Sequence, residues 1–561
     1  MCVCVCVCVC DYYYFSEELQ RLKQQFRDVH QCRIDDYLRE KRDIDKIAIN
    51  SLDDMYIELH VHDSEQYKRL ETRSDINTLQ LQTGIGLCRL IKVDELFSTD
   101  GGSEFAPLKV LVSGQAGVGK STFSLCLLNK WLNGQLPPAT ENVFFFSMRD
   151  LAHLGPCSLA DLLFTHQGIQ KPSDEMILQY LRNMSGVMVI LDGYEEVRQC
   201  SSEEESLPLD IFTKVKISEL LGSIICGKTM PSAKLVVTCR SGGVREYKVF
   251  DRITEIYGFS ELRIRQYVAM FCSRNAIEDV DLESHILDYI DNETNIRSFC
   301  YIPMFCSLVC RIAKMKLEQH VGMPLPATVT QLLKETVVSF AIELHPNFKG
   351  KSLDEDDDVT DQIKCPLLQH SKLAKKGVSH RPMRILFDKG DIESCHLSHD
   401  TAVQCGFLTV SLEHDQYSVS RQVTSVYYFV HLIMQEFLGG IALVSQENDI
   451  EQLVRQSASD GNLDMILTFL AGLLGDPDSK DFLKTLGCQT CMSAGDLLRL
   501  VVSQELQHRR RDHMATVFLL LTLVFESRQP DLWVEIREFV MNGGDELNLS
   551  EDTSVQSKCK H

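Results

Sequence analysis

The pattern of apolar and polar positions between residues 109 and 259 is one of short apolar runs separated by longer, helix-like stretches. Four runs predict buried strands, because each is short and bounded by turn formers: residues 109–113, 143–147, 187–191 and 235–238. Residues 123–132 are apolar almost all round, which predicts a helix buried against a sheet and stopped by Asn133-Gly134. This alternation predicts an α/β fold whose parallel sheet is covered on both faces, with a ligand at the carboxyl ends of the strands.

The turn between the first strand and its helix carries a phosphate-binding pattern, Gly-x-x-x-x-Gly-Lys-Ser. It comprises Gly114, Gln115, Ala116, Gly117, Val118, Gly119, Lys120, Ser121 and Thr122. Glycines let backbone N–H groups wrap a polyphosphate, and the N-terminus of the helix points its positive end at the same charge. We expect Lys120 to bridge the β- and γ-phosphates and the Ser121 hydroxyl to hold Mg²⁺. A nucleotide with Mg²⁺ is therefore the predicted cofactor.

Charged residues follow two of the later strands. Asp192 comes directly after the strand over residues 187–191, where a phosphate-loop protein needs a carboxylate for Mg²⁺. Glu195 and Glu196 behind it are candidates for the general base that polarises an attacking water. Arg240 follows the strand over residues 235–238 and is a candidate reader of the γ-phosphate. A turn former at Asp192 and a surface ion pair at Arg240 are the alternative interpretations.

Length and composition limit the classes of protein. The 561 residues correspond to about three to five domains, and 44% apolar residues suffice for several cores. The net charge of −22 gives no support for nucleic-acid binding or for attraction to an anionic membrane. The longest apolar runs, such as residues 514–525, are too short to span a bilayer. Most of the 22 cysteines sit singly in apolar runs and no secretory leader is evident, so we expect a cytoplasmic protein.

Further motifs extend the pattern over most of the chain. They are residues 191–196, 238–240, 258–261, 300–306, 428–438 and 469–474, with residues 55–59 ahead of them. Together with the phosphate loop, and in this order, they are similar to the NACHT module of NOD-like receptors, a group of STAND-class P-loop NTPases, with a FISNA-like segment before it. The resemblance implies an α/β P-loop NTPase domain followed by a helical domain, a winged-helix domain and a second helical domain.

The segments implied by this resemblance and by composition cover the whole sequence. They are a low-complexity Cys-Val tract (1–10), a helical lead-in (11–50), a FISNA-like segment (51–106), the NACHT domain (107–257), helical domain 1 (258–322), the winged-helix domain (323–428), helical domain 2 (429–542) and a polar tail (543–561). Between residues 407 and 429, alternating residues around a polar centre predict the hairpin that forms the wing of the winged-helix domain. The sequence pattern indicates no leucine-rich repeat periodicity after residue 475 and no recognisable death-fold or caspase-recruiting domain before residue 50.

The resemblance also implies a function, that of a nucleotide-gated switch in innate immunity. In such proteins ADP holds the nucleotide domain and the winged-helix domain together, and exchange for ATP releases an inflammasome-like self-association, with other NOD-like receptors or adaptors as further partners. Pro303 would lie near the adenine, and His431 would contact the β-phosphate. If residues 429–441 form one helix, its apolar stripe leaves His431 and Gln435 off the core side.

Two other functions stay open. Glu195 stands where the family usually has aspartate, and Cys239 replaces a hydroxyl residue before Arg240, so we expect at most weak ATPase activity. A P-loop enzyme of the GTPase or kinase type is one alternative, although the Asn129-Lys130 pair lies inside the predicted first helix rather than at a strand end. A scaffold that binds nucleotide without turnover is the other.

Overall fold

The structure is a computed structural model of the whole chain. It describes residues 2–45, 59–62, 89–91, 93–98, 106–114, 117–136, 140–151, 154–182, 186–194, 210–239, 249–275, 281–319, 325–344, 357–380, 383–404, 407–414, 423–460, 463–508, 513–534 and 536–537. These residues form two compact units, the first ending at Phe259 and the second beginning at Ser260.

A seven-stranded sheet forms the centre of the first unit, in the order β2-β1-β7-β3-β6-β5-β4. Its strands are β1 (Leu59–His62), β2 (Arg89–Ile91), β3 (Lys109–Gly114), β4 (Asn142–Ser147), β5 (Val187–Asp192), β6 (Lys234–Cys239) and β7 (Arg252–Ile256). Strands β3 to β7 pair in parallel, whereas β1 pairs antiparallel with both β2 and β7. The predicted parallel α/β sheet is confirmed, and the segment before the phosphate loop adds two antiparallel strands that the sequence pattern did not indicate.

Helices cover this sheet. They are α1 (Cys2–Asp45), α2 (Lys120–Leu132), α3 (Met148–Leu151), α4 (Leu159–Leu163), α5 (Asp174–Arg182) and α6 (Ile217–Ile225). Helix α2 buries the predicted apolar run, and it ends where predicted. Gly134 has φ of 68° there, and its N–H donates to Trp131 O at 3.0 Å, which satisfies a carbonyl of the last turn.

Helix α1 docks on this unit through a stripe spaced every four residues. The stripe consists of Leu22, Phe26, His30, Ile34 and Leu38, all of them buried. Such a spacing places side chains on one helix face. Burial of the four apolar members contributes about 6–12 kcal/mol at about 1.5–3 kcal/mol each. Phe26 meets the Phe144 ring edge-on at 5.2 Å, so α1 forms part of the hydrophobic core around β4.

The second unit consists mainly of helices. They are α7 (Glu261–Arg274), α8 (Leu282–Asn292), α9 (Thr294–Phe299), α10 (Pro303–Gln319), α11 (Val329–Leu344), α12 (Asp357–Val378), α13 (Lys389–Ser394), α14 (His399–Gln404), α15 (Leu432–Leu443), α16 (Glu447–Asp460), α17 (Asp464–Gly475), α18 (Pro477–Thr485), α19 (Ala494–His508) and α20 (His513–Glu526). A small antiparallel sheet has the order β8-β10-β9, with β8 (Leu386–Phe387), β9 (Leu408–His414) and β10 (Val423–Phe429). The hairpin predicted between residues 407 and 429 is confirmed by the pairing of β9 with β10.

A buried carboxylate ties two helices of the second unit together. Glu526, at the end of α20, is fully buried and accepts hydrogen bonds from the N–H groups of Val329 and Thr330, each at 3.0 Å. The Thr330 hydroxyl donates to the same carboxylate at 2.6 Å. The first N–H groups of a helix have no partner within it, so Glu526 caps α11 and complements its dipole.

One prediction about the second unit is wrong. Phe429 belongs to strand β10 and α15 begins at Leu432, so residues 429–441 do not form one helix. Gln435 is buried, with 1% of its surface exposed, and donates to Arg384 O at 2.8 Å. Every residue of α15 from Ile433 to Ile441 is buried, so the side opposite the apolar stripe also lies in the core, where a backbone carbonyl satisfies the Gln435 amide.

Candidate functional site

The backbone of the predicted phosphate loop requires its glycines. Gly117 has φ of 80° and Gly119 has φ of 104°, in the left-handed region that side chains rarely adopt. At Gly114 the constraint is steric, because a Cβ atom would lie 2.9 Å from both Ile256 O and Val118 Cγ2. The glycine pattern therefore reflects the shape of the turn, in which the loop passes close to the end of strand β7.

Lys120 opens helix α2 directly after this turn. Its ammonium group donates to the carbonyl of Gly114 at 2.9 Å, so the side chain folds back over the loop. Lys120 and Thr122 are half-buried and Ser121 is exposed. Because α2 begins at this turn, a cation, the positive end of a helix dipole and the exposed Ser121 come together there.

Asp192 occupies the predicted place at the carboxyl end of strand β5. Its Oδ1 accepts hydrogen bonds from the Ser124 hydroxyl of α2 at 2.9 Å and from the Thr238 hydroxyl of β6 at 2.7 Å. Thr238 Oγ1 in turn accepts from Gly193 N at 2.9 Å. Hydroxyl donors on one oxygen orient the carboxylate and join helix α2 to strands β5 and β6.

Several predicted site residues lie outside the described residues. They are Gln115, Ala116, Glu195, Glu196 and Arg240. The last described residue before the two glutamates is Tyr194, two residues after the end of β5. The last described residue before Arg240 is Cys239, which ends β6. Val118 of the loop is buried, with 2% of its surface exposed, so its side chain packs into the protein.

The other two predicted ligand contacts belong to the second unit. Pro303 is the first residue of α10, where its fixed φ and missing N–H are well tolerated, and it is half-buried. His431 is the residue before α15, has extended backbone angles and is half-buried. Its carbonyl accepts from Met434 N at 3.0 Å. Their predicted roles, at the adenine and the β-phosphate, stay predictions.

The residues of the loop fit a nucleotide polyphosphate with Mg²⁺. Gly117 and Gly119 give the turn its left-handed backbone, Lys120 supplies a cation beside it, and the α2 N-terminus offers N–H donors. Ser121 and Asp192 provide the oxygen atoms that Mg²⁺ prefers. When bound, the metal would neutralise phosphate charge. The protein contributes the shape of the turn and the fixed orientation of the carboxylate.

A cavity of about 330 Å³ in the first unit lies away from this loop. Its lining includes Phe26, Arg27, Trp131 and Tyr180, and it opens between α1, the C-terminal end of α2 and the start of β4. The Arg27 guanidinium lies 4.9 Å from the Trp131 ring centre and donates to Leu132 O at 3.1 Å. The cavity is therefore a feature of the α1 interface at the opposite end of α2.

Sequence reasoning missed three residues around the loop. Ser124 and Thr238 hold Asp192, and the Tyr37 hydroxyl of α1 lies 2.6 Å from Thr122 Oγ1. No local sequence motif marks any of these three residues. Only the i, i+4 stripe of α1 gives a signal, since it predicts which face of that helix docks and so which residues lie near the sheet.

Comparison with known proteins identifies related sequences. A family model described as the NACHT domain matches residues 108–275. The mouse (Mus musculus) "NACHT, LRR and PYD domains-containing protein 1b allele 3" is 25% identical over 468 residues, which cover 80% of this chain and 36% of that protein. The mouse protein 1a of the same series is 24% identical over 494 residues, 84% of this chain and 38% of its own length.

A rat (Rattus norvegicus) relative, "NACHT, LRR and PYD domains-containing protein 1a allele 5", is 25% identical over 422 residues, 71% of this chain and 32% of its own length. The chain thus spans about a third of the length of these relatives. Among solved structures, a RuvB chain of Thermotoga maritima aligns with 62% of this chain and 94% of its own length, at 13% identity and a TM-score of 0.25. Within the described residues, no helix is both long enough and apolar enough to cross a membrane.

Proposed function

We propose that the protein is an ATP/ADP-binding switch in innate-immune signalling, because residues 108–275 match the NACHT-domain model and the related sequences are NACHT, LRR and PYD domains-containing proteins. Nucleotide exchange would control its self-association. The observation that carries the proposal is the phosphate loop, in which left-handed glycines, the Lys120 ammonium group and the α2 N-terminus meet at one turn. An anion is the ligand that such a turn favours.

The contacts of Asp192 give the proposed switch a way to register Mg²⁺ and the γ-phosphate. This carboxylate accepts from Ser124 of the phosphate-binding helix and from Thr238 of β6. A change in its charge environment therefore acts on α2 and on the end of β6 together. Arg240, the predicted phosphate reader, comes directly after β6 and two residues after Thr238 in the sequence.

Turnover is a secondary property in this proposal. Glu195 and Glu196 are the proposed general-base pair and Arg240 the proposed γ-phosphate contact, with Ser121 and Asp192 on the metal. A switch needs its bound nucleotide to persist, and the longer side chain of Glu195 where the family usually has aspartate favours slow hydrolysis. The protein would act in the cytoplasm, through copies of itself and through related receptors or adaptors.

Nucleotide binding is tested by calorimetry with ATP and ADP on the full chain. Lys120→Ala should abolish binding, since it removes the cation beside the loop. Lys216→Ala is the matched control, because Lys216 is exposed in the same unit and lies outside the loop. Equal affinities in wild type and Lys120→Ala would refute the phosphate-loop assignment. The nucleotide released when freshly purified protein is denatured identifies the resident ligand.

Self-association is tested by analytical sedimentation with ADP and with ATP. We expect a smaller species with ADP and a larger one with ATP. Steady turnover in the range of about 1–100 per second, typical of dedicated kinases, would instead favour a P-loop enzyme. Nucleotide binding without turnover and without any change in sedimentation would favour a scaffold.

A further inference from the structure

Helix α1 runs antiparallel to the phosphate-binding helix α2 and contacts both of its ends. Arg27 donates to Leu132 O at the last residue of α2, and Tyr37 lies against Thr122 in its first turn. The two contacts are ten residues apart on each helix, a length of about 15 Å at the usual helical rise. Because the spacing is equal on both helices, the two contacts hold α1 and α2 in one fixed alignment along their lengths. The contact between Tyr37 and Thr122 therefore depends on how the two helices pack over this whole length.

The docking of α1 makes the position of Tyr37 a rigid one. The buried stripe continues to Ile34 and Leu38, with 2% and 8% of their surfaces exposed, on either side of Tyr37 in sequence. Arg33, one turn earlier, donates to Phe145 O of strand β4 at 3.3 Å. A side chain held between fixed neighbours loses little further freedom when it forms a hydrogen bond. The Tyr37 hydroxyl is therefore placed against α2 before any ligand binds.

Thr122 lies in the first turn of α2, the part of the helix whose N–H groups would bind a phosphate. It is the third residue of the helix, two after Lys120, and the N–H groups of this first turn have no acceptor within the helix. These groups face the ligand only while the first turn keeps its helical geometry. The 2.6 Å contact between the Tyr37 and Thr122 hydroxyls fixes the Thr122 rotamer, and it anchors this turn from the side.

We propose that Tyr37 is a positioning residue of the nucleotide site, which makes the lead-in helix α1 part of the phosphate-binding machinery. The inference rests on the proposed function, because it assigns to α1 a role in binding the same ATP or ADP. Tyr37 acts through Thr122 and the first turn of α2. Its loss should weaken ligands that carry a polyphosphate, with little effect on adenosine.

The experiment is a double-mutant cycle on the full chain, with ADP affinity measured by calorimetry. Tyr37→Phe removes only the hydroxyl, and loss of one such hydrogen bond should weaken ADP binding about three- to tenfold. Thr122→Val should weaken binding as well, and adding Tyr37→Phe to Thr122→Val should have no further effect, since the partner is already absent. Tyr180→Phe is the matched control, because it removes a hydroxyl that donates to Asn142 Oδ1 at 2.9 Å away from the loop.

The possible outcomes separate this inference from the proposed function. If wild type binds no nucleotide, both fail. If wild type binds ADP and Lys120→Ala does not, but Tyr37→Phe binds as tightly as wild type, only the role of Tyr37 is refuted. A Tyr37→Phe chain that loses thermal stability without ADP yet keeps its ADP affinity shows a purely structural contact and also overturns the inference. Equal weakening by Tyr37→Phe and Tyr180→Phe would do the same.

Discussion

The stability of the first unit should depend on the protonation of a single buried histidine. His30 lies at the centre of the α1 stripe, is fully buried, and its Nε2 is 3.0 Å from Val143 O. Arg33 Nη1 lies 3.5 Å from the other ring nitrogen. A neutral ring with its proton on Nε2 satisfies both contacts, whereas a charged ring would present a second proton to the guanidinium. Burial and then the Arg33 charge lower the pKa of His30 from 6.5 to about 4.

The size of the effect follows from this pKa difference. In the unfolded chain the ring takes up a proton as the pH falls through 6.5, while in the folded chain it stays neutral down to about 4. The unfolded state therefore binds more protons in this window, and stability is lost as the pH falls. The full loss is about 3 kcal/mol, and the free energy of unfolding should be about 1.3 kcal/mol lower at pH 5.5 than at pH 7.5.

The assay is urea unfolding of the first unit, followed by the fluorescence of Trp131, whose ring lies 5.8 Å from that of His30. The chain has two tryptophans, so Trp533→Phe leaves Trp131 as the only reporter. Other titrating groups contribute to the pH dependence, and His30→Gln serves as the reference, because an amide can donate to the same carbonyl without titrating. The difference between the pH profiles of the two chains gives the contribution of His30 to the free energy of unfolding.

We expect the free energy of unfolding to fall by about 1.3 kcal/mol more in the His30 chain than in His30→Gln when the pH drops from 7.5 to 5.5. Parallel pH profiles of the two chains would refute the reasoning, since they would show that His30 has the same pKa in the folded and unfolded states. A steeper profile for His30→Gln would refute it as well.

Two further predictions concern the nucleotide site. Asp192→Asn keeps a hydrogen-bond acceptor for Ser124 and Thr238 but removes the charge, so the Mg²⁺ concentration needed for half-maximal ATP binding should rise at least about tenfold, with Mg²⁺-free ADP binding unchanged in calorimetry. His431→Ala should loosen the ADP-bound state and raise self-association in analytical sedimentation; an unchanged distribution with ADP would count against a role for His431.

Local patterns in the sequence predicted the centre of the fold. The apolar runs of β3, β5 and β6 are buried from end to end in a parallel sheet, and their composition alone carries that information. The phosphate loop is equally local, because its glycines satisfy backbone requirements set within a few residues. Only the steric demand at Gly114 arises from a distant strand, through Ile256 O.

Local sequence patterns could not predict the contacts between residues that are far apart in the sequence. The Ser124 and Thr238 hydroxyls meet Asp192 across 68 and 46 residues of sequence, and nothing near either residue indicates the partner. In α1 the docking stripe is interrupted by His30, a polar residue that is buried only because a strand carbonyl accepts its hydrogen bond. Gln435 was misplaced because α15 is buried on all sides, so the face opposite its apolar stripe also lies in the core.

The side chains of α1 have a consequence for the solubility of fragments. Strand β4 is the last strand of the sheet, and its outward carbonyls at Val143 and Phe145 accept from His30 and Arg33. Such an edge, once uncovered, is a template for pairing with a strand of another chain. A fragment that started at residue 46 would uncover the Val143 carbonyl and the Phe144 ring that contacts Phe26, although Gln167 would still donate to Phe145 O. Non-native strand addition at Val143 would then compete with the assembly that nucleotide is proposed to control.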